Sequence, residues 1–147
     1  MKTIVLFFLA AGTLLSACQQ KTGVSDIPGA VNEAFQKQFA GAKDVKWGRE
    51  EGNFEVNFEQ GEKEMSAVFT PSGVLDETEV EIKNNELPPA VVTYISHNYN
   101  SAEVDEAARI TKANGEVLYE AEADGKDLIF DATGKFLLVK EVEKDKN

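Results

Sequence analysis

The sequence predicts an α+β fold: one helix packed on a four-stranded antiparallel sheet, written twice in tandem. Three observations predict it. Asp26-Ile27-Pro28-Gly29-Ala30-Val31 is echoed by Glu86-Leu87-Pro88-Pro89-Ala90-Val91 at an offset of 60 residues. Phe35/Ile95 and Phe39/Tyr99 share that offset, and Phe69/Phe130 and Gly73/Gly134 follow at 61. In each half, apolar residues first step at helical spacing and then alternate with polar ones, and glycine-containing breakers cut the alternating runs into hairpins. Two long copies make a duplicated domain, because a solenoid needs three or more shorter units.

Residues 1–17 read as a signal peptide. Lys2 supplies the positive n-region and Ile4 to Leu15 an apolar run, shorter than the roughly 20 residues of a membrane span. Leu15-Ser16-Ala17-Cys18 matches the bacterial lipobox: small residues fit a peptidase cleft, and the thiol is the nucleophile that takes a diacylglyceryl group. Cys18 is the only cysteine, so it is the expected lipid-attachment site and leaves no thiol for a disulfide. Each buried acyl CH₂ contributes about 0.8 kcal/mol, so two or more chains hold a protein on a membrane. Gln19 and Gln20, with no aspartate beside them, point to the outer membrane by known sorting rules; those rules leave open which side the protein faces, and the periplasm is the expected one. Residues 18–25 form a polar tether, 26–83 the first repeat and 84–147 the second.

Each repeat opens on a helix, since proline in a first helical turn needs no N–H partner. Ala30, Val31, Ala34, Phe35, Gln38 and Phe39 form one face, and Ala90, Val91, Tyr94, Ile95 and Tyr99 its counterpart. Phe54, Val56 and Phe58 then alternate with Glu55, Asn57 and Glu59, as Tyr119, Ala121 and Ala123 do with Glu120, Glu122 and Asp124. Asn114-Gly115 and Asp124-Gly125 supply the positive φ of tight hairpins. Further breakers at Gly52, Gly61, Gly73 and Gly134 complete strands near 43–50, 53–60, 63–70 and 74–82, then 103–113, 116–124, 126–131 and 135–143.

Ile27-Pro28-x-Ala30-Val31 before Phe35 and Phe39, Ala42-Lys43-x-Val45-Lys46-Trp47, Phe54-Glu55-Val56-x-Phe58, Val68-Phe69-x-x-x-Gly73 and Leu87-Pro88-x-Ala90-Val91 together resemble the PepSY-like, beta-lactamase-inhibitor-like lipoproteins of Bacteroidetes. The resemblance covers nearly all of residues 26–143. It implies a duplicated helix-on-sheet fold and kinship with inhibitors of secreted hydrolases. It carries no inhibitory residue over, because the matching positions are core, turn and cap. The disulfides of the beta-lactamase inhibitor have no counterpart here, since Cys18 stands alone.

Catalytic parts are scarce. His97, the only histidine, lies off the Val91/Ile95 stripe and reads as a surface residue. No Gly-x-Ser-x-Gly elbow, phosphate-cradling glycine loop or EF-hand spacing occurs. Asp124, Asp127 and Asp131 lie near turns, where they are either turn formers or a weak calcium site. Without Lys2 the basic count falls from 15 to 14 against 26 acids, a mature charge of −12. Such a surface disfavours nucleic acid. Glu77, Glu79 and Glu81 share one sheet face, which is either solvated or an acidic stripe for cations or a basic partner.

In the second repeat, a two-residue turn at Thr133-Gly134 sets Ile129 opposite Leu138. With Leu118 these form an apolar outer patch, where the first repeat sets Val68 opposite Glu77. Leu118, Ile129 and Leu138 are therefore a candidate interaction patch, the alternative being that this face packs against the other unit or the tether. Trp47 is likewise either core or a binding anchor. The sequence points to a non-enzymatic, lipid-anchored envelope module, with no cofactor, holding a protein or peptide. Inhibition of a secreted protease or other hydrolase, and cation binding by the acidic faces, are the alternatives.

Overall fold

The structure, a computed structural model, describes residues 27–99 and 103–140. The expected signal peptide, Cys18, the tether and residues 141–143 of the last expected strand lie outside them. The chain runs α1 (Gly29–Gln38), β1 (Lys43–Glu50), β2 (Asn53–Gln60), β3 (Lys63–Phe69), β4 (Leu75–Glu81), a 3₁₀ turn (Asn84–Glu86), α2 (Pro89–Asn98), β5 (Glu106–Lys112), β6 (Val117–Ala123), β7 (Lys126–Asp131) and β8 (Phe136–Lys140). The eight strands form one antiparallel sheet in sequence order. The sequence predicts a four-stranded sheet in each half, with the halves sharing an edge or a core. They share an edge, β4 pairing with β5 from Glu77↔Lys112 to Glu81↔Ala108, so that one eight-stranded sheet replaces two four-stranded ones.

The helices form where the proline signals place them. Pro28 and Pro88 are extended N-cap residues, and their carbonyls accept hydrogen bonds from the Val31 and Val91 N–H groups at 3.0 and 2.9 Å. Each helix spans ten residues and ends with a matching bond, from Phe39 N–H to Phe35 O and from Tyr99 N–H to Ile95 O. Each buries a residue pair spaced by one turn, Val31/Phe35 and Val91/Ile95. Such short helices are marginal alone and are held by this packing.

The two cores lie side by side on one sheet face. The first is aromatic: Phe35 meets Phe58, Trp47 and Phe69 edge-on, with ring centroids 5.1, 5.4 and 6.4 Å away. Trp47 is thus a core contact. The second is built on Ala107, Ala121, Ala123, Leu128 and Phe130 under Val91 and Ile95. There Tyr94 stacks on Phe136 at 4.7 Å. Gly73 and Gly134 both have φ of +84°, and each turn presses on the start of a helix: a Cβ on Gly73 would lie 2.5 Å from Ala30 O, and one on Gly134 2.9 Å from the Ala90 Cβ. Only glycine meets both demands.

Candidate functional site

Alternation that sends Phe54, Val56 and Phe58 under α1 sends Glu55 and Asn57 to the other side of the sheet, which no helix among the described residues covers. Cross-strand register assembles that side. One row runs Gly48–Glu55–Val68–Glu77–Lys112, the next Lys46–Asn57–Ser66–Glu79–Ile110–Leu118–Asp131. A third runs Glu81–Ala108–Glu120–Ile129–Leu138.

This face is concave. Neighbouring strands are about 4.8 Å apart, so β1 and β8 would lie about 34 Å apart in a flat sheet. Yet Lys140 Nζ on β8 lies 3.6 Å from Glu50 Oε1 on β1 and 3.8 Å from Glu120 Oε2 on β6. The sheet therefore curls until its outermost strands meet across the helix-free side. Strand twist accumulates in that sense, and irregularities between Lys43 and Lys46, Val68 and Phe69, and Ile129 and Phe130 sharpen it.

Curling buries side chains that have no helix above them. Val68, Ala108, Ile110 and Ile129 are 5, 8, 4 and 6% exposed. They form an apolar floor between carboxylates. Glu77 is ion-paired with Lys112. Glu79, among these carboxylates the one most enclosed by protein, is pushed up to about 8 by burial and then by Glu120, with Glu55 and Glu77 adding and Lys140 opposing. Burial also raises Glu120, against Lys140 and with Asp127 and Glu50, and it raises Glu55, with Glu50 adding. Burial alone would lower Lys140, but Glu120, Glu50, Glu79 and Glu77 outweigh it and hold the ammonium above its ordinary range. Glu120 Oε2 is sealed from solvent and accepts no hydrogen bond.

The structure places the sequence-derived candidates unequally. Leu118, Ile129 and Leu138 do share this face, and Ile129 pairs with Leu138. Leu118 is half-buried, Ile129 belongs to the floor, and Leu138 is 51% exposed at the rim. Of the three, only Leu138 is exposed; Ile129 joins Ala108 and Ile110 in the buried apolar part of the face, which the glutamates of β4 separate from Val68. Cys18 lies outside the described residues. The Glu77, Glu79 and Glu81 stripe is not a solvated outer surface at its first two members, which line the concavity. Sequence reading missed Glu55, Glu120 and Lys140 as partners of Glu79. Their alternation was visible, but nothing local signals that β1 and β8 meet.

The turn aspartates act separately. Asp131 Oδ1 accepts from the Thr133 N–H and hydroxyl and from the Lys135 N–H at 2.8, 2.6 and 3.0 Å. The Thr133 hydroxyl and these backbone donors hold its carboxyl below the usual range. Asp124 pairs with Lys126 at 3.3 Å. Among the described residues, no three metal-ligating side chains converge. His97 is exposed in the last turn of α2. No helix among the described residues is long and apolar enough to cross a membrane.

Comparison with known proteins gives the architecture a family. No curated protein matches the chain. Among solved structures, it is similar to a BLIP-like protein of Bacteroides fragilis, with 27% identity, 82% of this chain and 90% of that one covered, and a TM-score of 0.58. A DUF2874 family protein of Bacteroides uniformis shares 17% identity over 77% of this chain and 88% of that one, with a TM-score of 0.67. A Bacteroides eggerthii protein described as periplasmic shares 15% over 77% and 87%, with a TM-score of 0.68. The sequence profile of the beta-lactamase-inhibitor-like, PepSY-like proteins matches residues 15–77 and 53–138. The chain belongs to that beta-lactamase-inhibitor-like, PepSY-like family.

Proposed function

We propose that this protein is a non-catalytic binding module of the cell envelope, anchored by lipid on Cys18 in the outer membrane and facing the periplasm, that holds a protein partner against its concave sheet face. One observation carries the reading: a face that no helix of the described residues covers combines buried apolar side chains at Val68, Ala108, Ile110 and Ile129, an exposed apolar rim at Leu138 and enclosed carboxylates. Solvated outer faces need none of these. Residues 26–83 and 84–147 act as two copies of one PepSY-like unit, a reading supported by the matched helix starts, paired irregularities and Gly73/Gly134. Duplication supplies a sheet wide enough to curl.

Carboxylates pushed toward protonation also occur in general acids. Here the Lys140 ammonium opposes that shift at both Glu79 and Glu120. Likeness to the BLIP-like protein favours one more specific version, in which the partner is a secreted hydrolase that the module inhibits. The test uses the soluble form starting at Gln19, incubated with outer-membrane extract. Wild type should retain a partner that a Leu138→Asp variant of unchanged stability loses. Equal retention by both, or none by either, contradicts the reading. Inhibition of an envelope hydrolase by wild type and not by that variant would establish the inhibitor version.

A further inference from the structure

We propose that β8 is a pairing edge, and that two copies of this chain join there, β8 against β8 about a two-fold axis through Leu138, into one continuous sheet. The pairing goes beyond the binding reading, although it shares Leu138 with it. β1 and β8 end the sheet, so each leaves a row of backbone N–H and C=O groups for a further strand. The two edges differ. β1 is blunted: its register jumps between Lys43 and Lys46, Asp44 has a positive φ of 51°, and Lys43, Lys46 and Arg49 charge it. β8 instead carries three successive exposed apolar residues, Leu137, Leu138 and Val139, at 44, 51 and 39%. An apolar edge of this kind attracts another strand unless something covers it.

The first half shows what covers such an edge. β4 and β8 follow matching glycine turns, at Gly73 and Gly134, and each enters the sheet with a register shift, opposite Phe69 and Phe130. Glu77, opposite Val68, thus holds the position of Leu138, opposite Ile129, and Thr78 that of Val139. β4 is covered by a strand, with Glu77↔Lys112 and Thr78↔Thr111 across the joint. At the equivalent edge of β8, leucine and valine replace the charged and polar pair, and a second β8 fits them. Antiparallel pairing centred on Leu138 sets that residue against its own copy, Leu137 against Val139 and Phe136 against Lys140, so apolar residues meet and no like charges are opposed. Leu138 lies on the concave side with Ile129, and Val139 on the helix side with Leu128, so both faces of the joint gain apolar contact. Charge permits the approach: the chain has 26 acidic residues, yet none from Ala132 to Lys140. A two-fold joint also closes after two copies, the commonest form of homo-oligomer.

The test uses the purified soluble form starting at Gln19, which has no cysteine. Sedimentation should show a dimer that dissociates on dilution. Leu137→Asp, at an exposed site, should be monomeric at the same concentration with unchanged circular dichroism. Directly opposed residues of an antiparallel pair have Cα atoms about 4.5–5.5 Å apart, within the roughly 4.4–6.8 Å that a disulfide spans. Leu138→Cys should therefore crosslink to its own copy at least about tenfold faster than Val74→Cys, which is at least as exposed but off the edge, because paired thiols meet at a high effective concentration. Val45→Cys on β1 should behave like Val74→Cys. A monomer at every concentration, a dimer that survives Leu137→Asp, or crosslinking as fast at Val74→Cys or Val45→Cys would overturn the pairing. None of these measurements needs another protein. If the copies stay apart while outer-membrane extract still yields a Leu138-dependent partner, the binding reading stands and only the pairing is lost; a dimer that captures nothing from the extract does the reverse.

Discussion

At the scale of single residues, the protein shows how one position answers to two constraints. Gly73 and Gly134 adopt a left-handed backbone while touching a helix start. Gly73→Ala should cost about 1–3 kcal/mol from backbone strain alone, and more from the Ala30 carbonyl it would strike. Gly29→Ala has open space around it and an ordinary helical backbone, so it should stabilise by about 0.4–1 kcal/mol. Urea unfolding of the three proteins separates these outcomes. Phe35 is the hub of the first core, in ring contact with Phe39, Trp47, Phe58 and Phe69. Its replacement by alanine should cost about 3–5 kcal/mol, measured in the same way.

At the scale of elements, most of the fold is legible in the sequence, because helix starts and strand alternation are local. Ile27-Pro28 and Leu87-Pro88-Pro89 mark both helices, and Phe54-Val56-Phe58 marks a strand whose register against Ala67 and Phe69 follows from its apolar side. The Ile129↔Leu138 pairing is legible too, although a bulge makes Phe136 the partner of Phe130. Two things are not local. The β4–β5 joint turns two ribbons into one sheet, although nothing in Leu75–Glu81 distinguishes an edge from an interior strand. The curl is a sum of small twists over eight strands, so Glu50 and Lys140, at opposite ends of the sheet, give no sign that they meet. The candidate site therefore appears in the sequence only as fragments: a row of glutamates and a short apolar patch.

At the scale of the whole molecule, the enclosed carboxylates make stability depend on pH in a stated direction. Glu79 titrates near 8 in the folded chain against 4.5 without the fold, so the folded state holds the extra proton. Stability is then greatest below about pH 4.5 and declines as pH rises to about 8. Glu55 and Glu120, also raised, act in the same sense, whereas Lys140 stays charged throughout that window. Glu79→Gln should flatten the decline and raise stability at pH 8 by on the order of 1–3 kcal/mol, read as the urea midpoint at pH 5 and pH 8. A surface of this charge, −11 in all, adds its own repulsion, but exposed carboxylates complete their titration below pH 6 and leave the upper part of the window to the concave face.

The binding reading depends on a sheet that closes over its own acids. The titration of the Glu79 side-chain carboxyl, followed by carbon-13 NMR in the soluble form, examines that directly. A midpoint near 8 that moves down in Glu120→Gln is the expected result. A midpoint near 4.5 that ignores Glu120 would mean a flat, solvated face, and the concave site would be lost with it.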